Sequence, residues 1–139
     1  MEEEVKNNYK RNEKFLSEFD KYLVNNKLSD KTIRNHMSNV SLYINDYLNY
    51  YEAATMEEGC FEIDCFLGDW FIRKCMWSTA SSIRSTAASI KKFYKCMNEL
   101  GHVSNEDYKS LCSTIKNCMD DWIDEVNDYN NFDNSNIFW

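Results

Sequence analysis

The sequence predicts an all-α fold, and three observations carry that prediction. The 139 residues include no proline and only three glycines, so the chain lacks the residues that most often form the turns of hairpins and multi-stranded sheets. Apolar residues recur at spacings of three and four along five segments, which is the period of an amphipathic helix. Aromatic residues make up 15% of the chain and supply core material for one domain of this length. We therefore expect a compact bundle of four helices plus a fifth, C-terminal helix.

The first two helices are predicted over residues 10–24 and 30–51. Phe15, Leu16, Phe19, Tyr22 and Leu23 form the apolar stripe of the first helix. A serine at position 29 is a suitable N-cap for the second, because its hydroxyl accepts a hydrogen bond from a free backbone amide. The long stripe of the second helix consists of Ile33, Met37, Val40, Ile44, Tyr47, Leu48 and Tyr51.

The third and fourth helices are predicted over residues 61–76 and 79–100. Gly68 lies inside the third helix, where it costs about 1 kcal/mol relative to alanine, and this indicates a close helix crossing. Hydroxyl groups at 78–79 are candidate caps for the fourth helix, and Gly101 is its expected C′ residue. The two apolar stripes are Ile63, Phe66, Leu67, Trp70 and Phe71, then Ile83, Ala87, Ile90, Tyr94 and Met97.

The fifth helix is predicted over residues 105–127, starting after Ser104, which forms a capping-box pattern with Asp107. We expect one domain over residues 1–126, followed by an asparagine-rich tail over 127–139 in which 130–136 is disordered. The tail ends in the apolar residues Ile137, Phe138 and Trp139.

Charge is sorted along the chain. The net charge is −7, yet residues 70–98 carry six cations and no Asp or Glu. Residues 1–45 sum to +1, whereas residues 46–69 and 99–139 each sum to −7. A uniformly acidic surface does not have this distribution, so residues 70–98 are the first place to look for a binding surface.

Helical-wheel positions divide these cations. On the fourth helix, four cations and two serines point away from the apolar stripe. On the second helix, Lys31, Arg34, Asn35 and Ser38 likewise point away from the apolar stripe. Lys and Arg side chains bind phosphates, Asn and Ser read base edges, and small side chains let a helix approach duplex DNA closely. The candidate DNA-binding residues are Lys31, Arg34, Asn35, Ser38, Ser81, Arg84, Ser85, Lys91, Lys92 and Lys95. The alternative explanation is an ordinary solvated face.

Two segments resemble a known DNA-binding domain. Residues 27–36, with the apolar heptads that follow, are similar to the "LSxxTIxxY" helix of the SAM-like, or core-binding, N-terminal domain of tyrosine recombinases and phage integrases. Residues 78–94 and 100–103 resemble the last main helix of that domain and its exit. The resemblance covers about residues 13–103 in the same order and implies a small bundle whose second and fourth helices face DNA. It places the candidate residues above on that face.

Catalysis is not expected. The recombinase family has a further domain with a tyrosine nucleophile, but no Arg, Lys or His follows Lys116 to assist Tyr129. No phosphate-binding loop or dinucleotide turn is present, and we expect no cofactor. The acids Asp121, Asp124, Glu125 and Asp128 share one helix face, which we interpret as solvated rather than metal-binding.

The cysteines are interpreted as reduced thiols. None of the six forms a C-x-x-C pair, and His36 and His102 stand alone, so neither disulfides nor a metal site is favoured. The polar amino terminus and the lack of a long apolar run predict a cytoplasmic protein without membrane contact.

A protein-interaction module is the rival functional hypothesis. In this interpretation the acidic fifth helix and Ile137, Phe138 and Trp139 dock on a partner, or the basic strip pairs with the acidic helix of a second copy.

Overall fold

The computed structural model describes the backbone of residues 2–137 and the side chains of residues 2–131. Helix α1 is Glu2–Asn25, and α2 is Asp30–Ser41, continued by the π-helical segment Leu42–Tyr47. A 3₁₀ turn, Glu57–Phe61, precedes α3, which spans 63–74 and contains the π-helical segment Phe66–Trp70. Helix α4 is Ala80–Glu99 and α5 is Asn105–Ile137. The described residues contain no strand, which confirms the all-α prediction.

Helix α4 is the centre of the bundle. It packs against α1, α2 and α5, and its apolar side is closed off from solvent. Ile83, Ile90 and Phe93 of this helix are at most 1% exposed and meet Phe19 of α1 in one continuous core. The outward side of the same helix is therefore fixed in direction by this packing.

Three helix starts and one helix end follow the predicted local chemistry. The hydroxyls of Ser29, Thr79 and Ser104 each accept a hydrogen bond from the backbone amide three residues ahead, at 3.2, 3.1 and 3.1 Å. Gly101 has φ +84°, a left-handed conformation that glycine adopts without steric cost, and it follows the end of α4. These four signals are confirmed.

The predicted start of α1 at residue 10 is wrong, because the helix begins at Glu2. Its first three turns hold Asn8 and Asn12, which are buried although they are polar. The Asn8 side-chain amide donates to the Asn49 side-chain oxygen at 2.9 Å, and that of Asn12 donates to the Ile44 carbonyl at 3.1 Å. A search for apolar residues misses such a segment, since amides occupy its core-facing positions.

The predicted regular α-helix through Tyr51 is also wrong. From Leu42 the helix widens into π geometry, in which the Leu48 amide donates to the Tyr43 carbonyl at 3.0 Å, and helical structure ends at Tyr47. Tyr51 is 59% exposed, whereas Tyr43, absent from the predicted stripe, is fully buried. Its hydroxyl donates to the Gly59 carbonyl at 2.5 Å. The wider turn brings Tyr43 into the core and breaks the 3.6-residue period on which the prediction relied.

The predicted tail is wrong over most of its length. Helix α5 continues past residue 127 to Ile137 instead of ending there. Val126 is fully buried, and the Asn130 side-chain amide donates to the Ser78 carbonyl at 3.0 Å, so packing holds the helix one turn beyond its predicted end. Phe138, Trp139 and the side chain of Ile137 lie outside the described residues.

The close crossing predicted at Gly68 is confirmed. A Cβ atom at this position would lie 2.9 Å from Cδ1 of Trp122, so only glycine fits without displacement of the ring. The Trp122 indole is 1% exposed, and its N–H donates to the Asp64 carboxylate at 2.7 Å. This contact joins α3 to α5.

The six cysteines are free thiols in different surroundings. Cys60, Cys75 and Cys96 are buried, as expected for structural thiols, and burial raises their pKa values to about 12, 11 and 11. Cys65 is exposed, so it is not a core residue. Among the described residues, no helix combines the length and apolar character needed to cross a membrane.

Candidate nucleic-acid interface

The two helices that carry the candidate residues lie side by side. Ser89 of α4 is 2.7 Å from His36 Nδ1 and accepts a hydrogen bond from the Asn39 amide at 3.0 Å, so polar contacts connect the helices at mid-length. Trp77, just ahead of α4, shares a groove with Asp46 at the far end of the second helix. The C-terminal end of α2 therefore lies against the N-terminal end of α4, and the helices are antiparallel.

Antiparallel packing brings five of the six candidate cations to the same end of the helix pair, whereas Arg84 lies toward the other end. Counting about 1.5 Å per residue from the His36 contact, Lys31 and Arg34 run alongside the half of α4 that holds Lys92 and Lys95. Burial lowers the pKa of His36 and the positive charge of Lys92 lowers it further, as expected if that cation lies against α2. The hydroxyl-bearing residues lie toward the other end: Ser38, Ser81 and Ser85.

All ten candidate side chains reach the surface. Nine of them are exposed and Lys92 is half-buried against the neighbouring helix. Among the side chains of residues 2–131, none of the six candidate cations forms an ion pair with a carboxylate. The exposed residues are Lys31, Arg34, Asn35, Ser38, Ser81, Arg84, Ser85, Lys91 and Lys95. The charge of the six candidate cations is available to an external anion.

Arg73 and Lys74, the other two cations of residues 70–98, belong to a different environment. Arg73 donates to the Asp69 carboxylate at 2.8 Å within α3, and the Lys74 ammonium lies 5.3 Å from the centre of the Tyr50 ring. Hydrogen bonding to Tyr50 raises the pKa of Lys74. The acid-free segment is therefore two separate groups of cations, as the helix positions predicted.

Sequence reasoning missed a cation on α5. Lys116 lines an open pocket together with Lys91, Ser113 and Ile115, so the cationic surface continues from α4 onto its neighbour. With Trp122 set to zero on a helical wheel, Lys116 lies at about 120°, on the side that faces α4. A helical wheel of α5 identifies Lys116 once the side of the helix that packs against α4 is known.

The acids of α5 point mostly the other way. They lie at about 200° to 300° on that wheel, on the side of Cys118. Burial raises the pKa of the Cys118 thiol, and the charge of Asp64 on α3 raises it further. Asp120, at about 160°, is the exception. The acids in this range include Asp121, Asp124, Glu125 and Asp128, all of which are exposed. Apart from Asp120, the negative charge of these acids is thus kept off the side of α5 that carries Lys116.

Metal-binding side chains do not cluster among the described residues. Tyr129, which sequence reasoning assigned to the tail, is 37% exposed on α5. Within residues 2–131, no group of three or more His, Cys, Asp or Glu side chains converges in a way that could hold a metal ion. The cationic surface of α2 and α4 is the feature that a function has to explain.

No protein-family model, no curated protein and no solved structure matches the chain. The geometry and charge of the surface are therefore the basis for assigning a function.

Proposed function

We propose that the chain is a non-catalytic DNA-binding module that grips duplex DNA through the outward faces of α2 and α4, in the manner of the core-binding domain that its sequence resembles. One observation carries the proposal: two packed, antiparallel helices present six cations, none of which pairs with a carboxylate among the described side chains. A polyphosphate is the partner that best matches such a surface.

The residues between the cations favour DNA over a generic anion. Ser81, Ser85 and Ala88 separate the basic side chains of α4, and these short residues allow the helix axis to come close to a groove. Asn35 and Ser38 supply hydrogen-bonding groups on α2 that suit base edges or phosphate oxygens. Bulky aromatic residues at these positions would hold the duplex away.

The acidic net charge is compatible with this function because of where the acids lie. Most of the exposed carboxylates of α5 lie on a different side of that helix from Lys116, so they face away from the proposed contact surface. Their long-range repulsion of DNA weakens non-specific affinity, and added salt screens it together with the attraction.

Fluorescence anisotropy with a labelled duplex at about 50 mM salt tests the proposal. The variant Lys91→Glu, Lys92→Glu, Lys95→Glu should lose most of the affinity. The matched control reverses three exposed lysines of α1, as Lys6→Glu, Lys10→Glu, Lys14→Glu, with the same change in net charge. A wild-type chain that does not bind, or equal losses in the two variants, would reject the proposal.

The rival function is a protein-interaction module. It is favoured by one observation, the row of exposed carboxylates on α5, Asp121, Asp124 and Asp128, which suits a basic partner or the basic strip of a second copy. Sedimentation at low and high salt distinguishes the two functions. A salt-sensitive oligomer that disappears when Asp121, Asp124 and Asp128 become Asn supports the rival, and a monomer under all conditions counts against self-pairing.

A further inference from the structure

The loop between α3 and α4 exposes two large apolar side chains beside the proposed DNA surface. Met76 is 100% exposed and Trp77 is 62% exposed, although both are residues that usually lie in a core. The loop is braced. The Ser78 hydroxyl donates to the Ile72 carbonyl at 3.2 Å, and the Trp77 ring packs edge-on against Phe71 with centroids 6.4 Å apart. One edge of the exposed indole is thus supported by Phe71.

The indole forms one side of an open groove between this loop and α2. The groove has a volume of about 420 Å³, in the range of small-molecule sites. Its lining is mostly polar, and one end adjoins the candidate DNA-binding residue Ser38. The residues that line it are Ser38, Asn39, Ser41, Leu42, Asp46 and Trp77.

We infer that this groove binds a single unpaired DNA base, which stacks on the Trp77 indole while the paired DNA on either side contacts α2 and α4. The inference rests on the proposed DNA-binding function and adds to it a preference for duplexes that contain an unpaired base. Stacking on an aromatic side chain is the common way in which proteins hold unpaired bases.

The polar groups of the groove suit a base better than a phosphate. Asp46 is exposed, and its carboxylate would repel a phosphate but accept a hydrogen bond from an exocyclic amino group. The Asn39 amide nitrogen donates to Ser89, which leaves its carbonyl oxygen free to accept. Asp46 and Asn39 thus offer acceptors to an exocyclic amino group, so a cytosine or adenine should fit better than a thymine.

The position of the groove links it to the paired DNA. Ser38 belongs both to the groove and to the outward face of α2, and Ser81 lies four residues after Trp77, in the first turn of α4. Arg34 lies four residues before Ser38 on α2, and Arg84 lies three residues after Ser81 on α4. Each is about one helical turn from a residue beside the groove, so these two cations can reach the phosphates that flank an unpaired nucleotide. A protein partner that bound the exposed indole through apolar contacts would not require cations and hydroxyl groups beside it.

Anisotropy titrations with two duplexes test the inference: one fully paired, the other carrying one extra unpaired cytosine. The wild-type chain should bind the bulged duplex about tenfold more tightly than the paired one, a gain in the range of one stacked base. Trp77→Ala should remove this preference and leave the affinity for the paired duplex unchanged. Trp77→Phe should retain most of it, and Asp46→Asn should reduce the preference for cytosine over thymine in the bulge.

Met76→Ala is the matched control, since it removes a neighbouring exposed apolar side chain that is not part of the groove. The inference is overturned if the wild-type chain binds the two duplexes with equal affinity, or if Met76→Ala and Trp77→Ala have equal effects. The exposed indole would then be a candidate contact for a protein. Binding of the paired duplex that depends on Lys91, Lys92 and Lys95 would preserve the proposed function in that case. If the wild-type chain binds neither duplex, both fail.

Discussion

The imidazole Nδ1 of His36 lies 2.7 Å from the hydroxyl oxygen of Ser89, across the contact between α2 and α4. The same hydroxyl accepts from the Asn39 amide at 3.0 Å and is 3.2 Å from the Ser85 carbonyl oxygen. All of these groups are satisfied when neutral His36 carries its proton on Nδ1 and Ser89 donates to that carbonyl. This polar link sets the register of the two helices that carry the cationic surface.

The link should make the stability of the fold depend on pH. Burial, and next the Lys92 charge, hold the pKa of folded His36 below its ordinary value, so the unfolded chain binds more protons near and below pH 6.5. Because the unfolded state is then favoured, the free energy of unfolding should fall as pH is lowered from about 7.5 to 5.5. Urea titrations at a series of pH values measure it.

His36→Gln keeps a hydrogen-bonding side chain and removes the titration. Its free energy of unfolding should change less over the same pH interval than that of the wild-type chain. His102→Gln is a useful control, since His102 lies 3.1 Å from the Glu18 carboxylate and in a different helix contact. If the wild type and His36→Gln have the same pH dependence, His36 is not the group responsible.

Gly68→Ala should destabilise the protein although alanine is the better helix former. The added methyl would lie 2.9 Å from Trp122 Cδ1, and overpacking of this kind costs about 1–3 kcal/mol, against a gain of about 1 kcal/mol in helix propensity. Urea unfolding should give a lower free energy for Gly68→Ala. In a Trp122→Leu background, where the ring is absent, the same change should be neutral or stabilising. A loss of equal size in both backgrounds would show that the ring is not the cause.

Arg34 should contribute about one phosphate contact. Arg34→Gln preserves a polar side chain of similar length and should weaken duplex binding while reducing the slope of log affinity against log salt by about 0.9. Asn35→Ala on the same exposed face should leave that slope unchanged, since it removes no charge. An unchanged slope in Arg34→Gln would place Arg34 outside the contact surface.

Lys116 tests whether the cationic surface extends onto α5. Since it lines one pocket with Lys91, Lys116→Glu should weaken duplex binding several-fold. Lys6→Glu on α1 makes the same change in net charge and should have a smaller effect, limited to screened long-range repulsion. Equal effects of the two variants would confine the contact surface to α2 and α4.

Much of the fold was predictable because the relevant signals are local. Ser29, Thr79, Ser104 and Gly101 act on the backbone next to them, and the apolar stripe of α4 has an uninterrupted 3.6-residue period. The extension of α1 was not predictable from periodicity, since Asn8 faces the core and binds groups more than forty residues away.

Part of the candidate surface was likewise predictable from local signals, and part was not. The outward direction of Lys31, Arg34 and Lys95 follows from the apolar stripes of their own helices, and their exposure agrees with it. The placement of Lys116 beside Lys91, and of Trp77 beside α2, depends on how separate elements pack. A single sequence contains no local signal for such contacts, so they emerged only from the structure.

The salt dependence of duplex binding by the wild-type chain tests the central claim most directly. If about five phosphates are neutralised by the cations of α2 and α4, log affinity should fall against log salt concentration with a slope near −4 to −5. Anisotropy titrations from about 50 to 200 mM salt measure that slope. A slope in this range supports the proposed surface, whereas a slope near zero, or no binding at the lowest salt, would contradict it.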